Sequence, residues 1–255
     1  VAKTLLAPDN AGLILQKLPN EHNVVAKEWA RVLEEAQKTP QGRARIALAV
    51  AIAQLPTWTD TDAAEPAPSD EQGLQAAMYF TLASQFRAVG GGGTHIRRMF
   101  EESSGGVISS NAGTDYTKLL RERSDPRQRA TVLAAYREAG LSLEDDLAAL
   151  AAAPRMTADA AAVAQANRLM GLMARPKVPV LLLHTTGDAQ APIATLEAYM
   201  RRADKALVRL ATVHAPGHCT FTSAESLAAI ETVRRRLATG AWPDVSASSM
   251  NRLAG

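Results

Sequence analysis

Cysteine is almost missing from this chain: Cys219 stands alone among 255 residues. An intrachain disulfide is therefore excluded, and so is a CxxC metal site. A lack of disulfides does not by itself assign a compartment. Long apolar runs are missing as well. The longest, 46–55 and 178–183, fall short of the roughly 18 residues that a membrane span needs. A charge imbalance is missing too. Lys and Arg number 28 against 26 Asp and Glu, a net charge of +2, with a sequence pI near 8.8. The charges are interspersed and the basic clusters short, as at 234–236, so nucleic-acid binding lacks the concentrated basic face it needs. No repeat of fixed period appears. With 47% hydrophobic and 21% charged residues, wholesale disorder and collagen-like structure are excluded. The beginning, 1–8, lacks the long apolar segment of a signal peptide and does not open on Met. The expectation is that the chain follows some removal or is part of a longer gene product.

What is present changes character along the chain. Residues 25–38, 41–55, 70–89, 126–139, 143–153 and 157–175 carry apolar residues at three- and four-residue spacing, with much Ala and Leu, which predicts helices. Start and stop signals agree. Ser69 with Gln72 reads as a capping box, and Ser142 with Asp145 as a weaker one. Pro126 suits a first turn, and Gly90 and Gly140 suit helix ends. Residues 57–68, rich in Pro, Asp, Thr and Ala, read as a connecting loop. No strand is expected before residue 178. The glycine run 90–93, followed by Thr94 and His95, is not a phosphate-binding loop, because no Gly-Lys-Ser/Thr follows. It reads as a turn between helices. Residues 105–113 read as a second loop; Ser109 and Ser110 within it are nucleophile candidates without the sequence frame of one.

The last third has a different period. Residues 177–184 form a short continuous apolar run, the signature of a strand covered on both faces in a parallel sheet. Residues 185–188 turn the chain, and Pro192 starts a helix through about Ala203. Residues 207–213 form a second strand candidate, 214–218 a tight turn, and Thr222 with Glu225 a capping box opening a helix over 223–237. The order is strand, loop with Asp188, helix, strand, loop with His218, helix. Loops at the carboxyl ends of parallel strands lie side by side on one sheet edge. Asp188 could then accept a hydrogen bond from one imidazole nitrogen of His218, leaving the other free to take a proton from a nucleophile.

These residues, 178–188 with Pro192 and 215–222, resemble the α/β-hydrolase superfamily. Its chain order is Ser…Asp/Glu…His, with the acid after the seventh strand of the standard sheet and the His after the eighth. The resemblance is tight over about 175–240. It assigns Asp188 as the acid and His218 as the base, 30 positions apart. Upstream it is looser, and the helical region resembles the cap that many members insert between the sixth and seventh strands. The resemblance thus implies an α/β fold with two parts: a helical cap over 1–175, and over 176–255 the last two strands and helices of the hydrolase core.

One departure is large. No G-x-S-x-G occurs in the chain; the nearest partial match, 140–144, lacks the second Gly. The nucleophile elbow, the oxyanion loop and the first six strands have no counterpart here. Two parallel strands alone leave edges and apolar faces uncovered. The expectation is therefore an α/β-hydrolase fold completed by another polypeptide segment, an N-terminal half carrying the serine, in a heterodimer or as a cleaved or omitted piece. The implied reaction is hydrolysis of a carboxylic ester foremost, with an amide or peptide bond behind it, on a small acyl-containing substrate covered by an apolar cap. Acyl transfer would use the same residues. No metal or organic cofactor, no nucleic acid and no membrane span is implied. The alternative from another class is a non-catalytic binding or interaction protein built on a hydrolase remnant. Abundant Ala and Arg suggest a GC-rich bacterial genome.

Several other residues invite a role and receive a structural reading. His184 ends a strand beside the acid and reads as structural. His214 reads as a strand terminus, which leaves His218, in the loop beyond it, as the base. Cys219 directly follows the base and reads as a structural thiol. Asp115, Tyr116, Trp29 and Trp58 could line a substrate pocket, with ordinary packing the equal alternative.

Overall fold

The computed structural model describes residues 1–17, 22–59, 63–87, 92–170 and 174–254. The chain divides into two compact units, Val1–Gly171 and Leu172–Gly255.

The first unit is all helix among its described residues. It contains α1 (Ala2–Leu6), α2 (His22–Gln37), α3 (Pro40–Ala53), α4 (Glu71–Arg87), α5 (Gly92–Ser104), α6 (Tyr116–Arg123), α7 (Pro126–Ala139), α8 (Leu143–Ala152) and α9 (Ala160–Met170). Helix α3 is its axis. Thr39 accepts a hydrogen bond from the Gly42 N–H and Pro40 occupies the first turn, both orthodox start signals. From Ile46 to Ile52 every side chain is buried. A helix that is apolar all round must be enclosed, and α1, α2, α4, α6 and α7 pack against it. Gly42 permits the closest approach: a Cβ there would sit 2.0 Å from the carbonyl oxygen of Ala36 in α2. One polar network crosses this core. Arg45 grips both carboxylate oxygens of Asp146, at 2.9 and 3.1 Å, and the Tyr136 hydroxyl donates to Asp146 at 2.8 Å. Burial, then the neighbouring carboxylate, pushes the Tyr136 phenol far above its usual range, so it stays a donor.

Helix ends depart from expectation in instructive ways. α4 is capped by Asp70, whose carboxylate accepts from Gly73 N–H at 2.8 Å; Ser69 lies in the preceding turn, so the Ser69–Gln72 box is replaced by a cap one residue on. α7 and α8 begin as read, with Pro126 in the first turn and Ser142 as the cap, and α7 ends on Gly140 at φ 64°; the α7 cap itself is Asp125, which the sequence reading did not single out. α9 is shorter than 157–175: it begins at Ala160, and Ala174 has a left-handed φ of 54°. The described parts of 57–68 carry no helix or strand. Gly90 and Gly91 lie outside the described residues, whereas Gly92 and Gly93 open α5 instead of a turn. α5 and the charged, eight-residue α6 were not expected, because glycine and high polarity both argue against a helix.

The second unit is built as strand–helix–strand with two further helices: β1 (Val180–Gly187), α10 (Ile193–Met200), β2 (Val208–Pro216), α11 (Ser223–Thr239) and α12 (Ala247–Ala254). β1 and β2 pair in parallel, from Val180 opposite Val208 to Thr185 opposite Val213. The register then shifts and Gly187 faces Pro216, so β2 carries one extra residue, a bulge at the carboxyl end. α11 opens with the full capping box of Thr222 and Glu225. The core here is thin: Ala211, Ala228 and Met250, with Leu181, Leu183, Ala229, Val245 and Leu253 partly buried around it.

Candidate functional site

The carboxyl ends of β1 and β2 carry the site. Parallel pairing puts both ends on one edge, as expected for a strand–helix–strand unit. Asp188 follows β1 directly, and His218 lies two residues beyond β2. The structure brings them together: His218 Nδ1 and Asp188 Oδ2 are 2.7 Å apart, at the short end for a charge-assisted hydrogen bond. The side chain of Asp188 is 1% exposed and that of His218 is 45% exposed. The carboxylate is thus shut away while one side of the imidazole faces out. Nδ1 donates to Asp188, and Nε2 makes no hydrogen bond among the described residues.

Each partner is held in its loop. Asp188 Oδ1 accepts from the backbone N–H groups of Gln190 and Ala191 at 2.9 and 2.8 Å. This is the local turn chemistry of an Asp after a strand, and it leaves Oδ2 for the histidine. The His218 loop is pinned from β1. The buried Thr185 hydroxyl donates to the Gly217 carbonyl, and Gly217 N–H donates to Gly187 O at 3.3 Å. The loop bends sharply, with φ of 86° at Gly217 and 56° at Cys219. A Cβ at 217 would lie 2.7 Å from Thr220 Cγ2, so glycine is required there by both backbone and space. A left-handed φ on the non-glycine Cys219 is the kind of local strain found at functional turns.

The neighbouring residues fall away from the pair. His214 lies inside β2 and bonds through Nδ1 to the Thr186 hydroxyl at 3.1 Å. His184 Nε2 is 3.9 Å from Asp188 Oδ2, beyond hydrogen-bond range, and lies 2.9 Å from the Ala191 carbonyl. Cys219 is an exposed free thiol. In the helical unit, Ser109 receives a hydrogen bond from Arg97 and Ser110 donates to the Met156 carbonyl. Asp115 caps α6. Tyr116 is buried, with Arg155 4.8 Å over its ring. Trp29 stacks on Phe86 with ring centroids 5.3 Å apart, and Trp58 donates to the Ala63 carbonyl at 2.8 Å. In the helical unit, then, these residues take part in capping, ring contacts and hydrogen bonds. Among the described residues, no group of three or more His, Cys, Asp or Glu is placed to hold a metal ion, and no helix is long and apolar enough to cross a membrane.

Sequence reasoning missed the role of Thr185. A hydroxyl one residue pair before the end of an apolar strand was the available signal.

Comparison with known proteins bears on the same region. Residues 151–249 match the α/β-hydrolase family described as TAP-like protein. The chain is also similar to the o-phthalyl amidase of Xanthobacter agilis, with 34% identity over 258 residues, covering 95% of this chain and 56% of the amidase. It therefore spans little more than half the length of that relative. No solved structure matches. The two-stranded parallel unit lies within the stretch that is similar to the α/β-hydrolase family, and the matched relative is, by its name, an amidase.

Proposed function

We propose that this chain supplies the acid and the base of a Ser-His-Asp triad in an acyl hydrolase. The observation that carries the reading is the 2.7 Å bond between buried Asp188 and half-exposed His218. Geometry of this kind fixes the imidazole so that Nε2 meets a nucleophile. The serine is assigned to a G-x-S-x-G segment outside these 255 residues, either on the same polypeptide or on a partner. The greater length of the amidase is in keeping with this. The helical residues 1–175 are assigned as the cap that covers the substrate.

The chemistry then runs in two halves. The serine oxygen attacks the acyl carbon as His218 Nε2 takes its proton, and Asp188 stabilises the resulting imidazolium. Backbone N–H groups of the serine-bearing segment hold the oxyanion. Collapse breaks the bond to the leaving group, which receives the proton from His218. Water then attacks the acyl-enzyme with His218 again as base, releasing the acid and the free serine. We assign the bond as an amide of a carboxylic acid, because the matched relative is an amidase. An ester would pass through the same steps.

A fluorophosphonate probe tests this on the complete gene product by intact-mass spectrometry. The expected result is one label, on a serine in a G-x-S-x-G segment outside these residues, and its loss in His218→Ala. A label on Ser109, Ser110 or any other serine of this chain overturns the assignment. No label on folded protein overturns it in favour of a binding module.

A further inference from the structure

The Asp188 loop is tied down at a point that the proton-transfer chemistry does not use. His184 lies in β1, four residues before Asp188, with its side chain 12% exposed. Its Nε2 is 2.9 Å from the Ala191 carbonyl oxygen. A carbonyl can only accept, so Nε2 must carry the proton, whatever the state of Nδ1. Ala191 is also one of the two residues whose N–H holds Asp188 Oδ1. The loop is thus closed into a ring: β1 through His184 to the Ala191 carbonyl, then Ala191 N–H to Asp188 Oδ1, and Asp188 back to β1. Only Oδ2 leaves that ring, and it goes to His218.

We infer that His184 is a positioning residue for Asp188, an inference that rests on the triad reading above. By fixing the peptide that follows Ala191, it holds the Ala191 N–H in place and so sets the direction in which the carboxylate presents Oδ2. The next residue, Pro192, has no N–H of its own and adds no hydrogen bond to this part of the loop. Asp188 N–H also donates to the Thr185 carbonyl of β1 at 3.4 Å, and the His184 bond adds a tie from β1 at the far end of the turn, at Ala191. Without that tie, Asp188 would sample orientations in which Oδ2 and His218 Nδ1 are misaligned. The effect would fall on the rate of the chemical step and not on substrate binding, because the His184 hydrogen bond goes to the loop that carries the acid.

Two readouts on the complete enzyme test this. The first is steady-state kinetics. His184→Ala is expected to lower kcat by about 10- to 100-fold, the scale of a small misplacement of a catalytic group, with KM little changed. His184→Gln is expected to recover most of the rate, because its side-chain N–H reaches the position of imidazole Nε2. His184→Asn, whose amide stops short of that position, is expected to behave like the alanine variant, and replaces it if alanine prevents folding. The second readout is the proton NMR signal of His218 Nδ1–H, which is expected to broaden or shift in the Ala and Asn variants and return in Gln. Wild-type kcat in His184→Ala, or no rescue by Gln, overturns the inference. His218→Ala separates the two levels. If that variant keeps its rate, the triad reading fails, and the His218 signal alone then decides whether His184 orders Asp188: a signal unchanged in His184→Ala overturns it, and a shifted one sustains it.

Discussion

The two units of this chain solve the problem of burial in opposite ways. The helical unit encloses its most apolar element: α3 is covered on all sides from Ile46 to Ile52, and Leu48 and Val50 are wholly buried. The C-terminal unit encloses little. Its core is Ala211, Ala228 and Met250, while Leu227 and Ile230 of α11 are each 64% exposed and Leu237 and Val178 lie similarly open. Leu227, Ile230 and Leu237 share one helix face by their spacing. A two-stranded parallel sheet is far below the size at which such sheets stand alone with both faces covered. The lesson is a division of labour. The unit with the thin core carries the Asp188–His218 pair, held by hydrogen bonds within loops, and the helical unit carries the dense core.

That contrast can be broken or sharpened by experiment. The largest effect should come from the reactive pair. Asp188→Asn is expected to lower turnover of the complete enzyme by about 10⁴-fold, if the pair acts as in serine proteases, with the thermal midpoint of the helical unit unchanged. A near-normal rate would remove the acid from the mechanism. Next come the cores. Leu48→Ala should cost about 2–5 kcal/mol in urea unfolding, the range for a leucine cavity that cannot collapse. Met250→Ala should fall at or below about 2 kcal/mol, because a shallow core relaxes around the gap. Equal costs would erase the contrast between the units.

The smallest effect is electrostatic and lies at the end of the C-terminal unit. The Asp244 carboxyl is held down to about 2 by the Ser249 hydroxyl, then by the Ser246 N–H and hydroxyl. The depressed folded-state value sets the sign. Stabilisation of the α12 start is fully present above the ordinary aspartate range of about 3.9 and is lost as pH falls towards 2. Amide exchange in α12 should therefore quicken over that acidic window while α3 stays protected. Parallel loosening of both helices would assign the change to global acid unfolding instead.

Much of this was legible in the residues. Pro126, Gly140, Ser142 and the Thr222–Glu225 box mark helix ends because caps act within one turn, through atoms that are sequence neighbours. The apolar run before Asp188 and the strand before His218 announce two parallel strands for the same local reason. α5 was not legible, because Gly92 and Gly93 read as breakers and it is packing against α2, α4 and α9 that favours a helix there. The Asp70 cap of α4 was displaced from Ser69 by one residue, a distance that propensity does not resolve.

The sequence by itself determined the periodicities, the caps and the placing of Asp188 and His218 each just beyond a strand. The sequence also pointed to His218 as the partner of Asp188, but only the tertiary structure decided that the two side chains meet. His184, His214 and His218 all lie near it in the chain's logic, and His184 is the nearest in sequence. The choice falls to His218 because β1 and β2 pair in parallel, and because the extra residue in β2 lets Gly217 settle against Gly187 and Thr185. The physical reason is the range of the forces. Helix caps and strand patterns are set by neighbours in sequence, whereas a 2.7 Å bond between residues 30 positions apart depends on strand register, which no local spacing encodes.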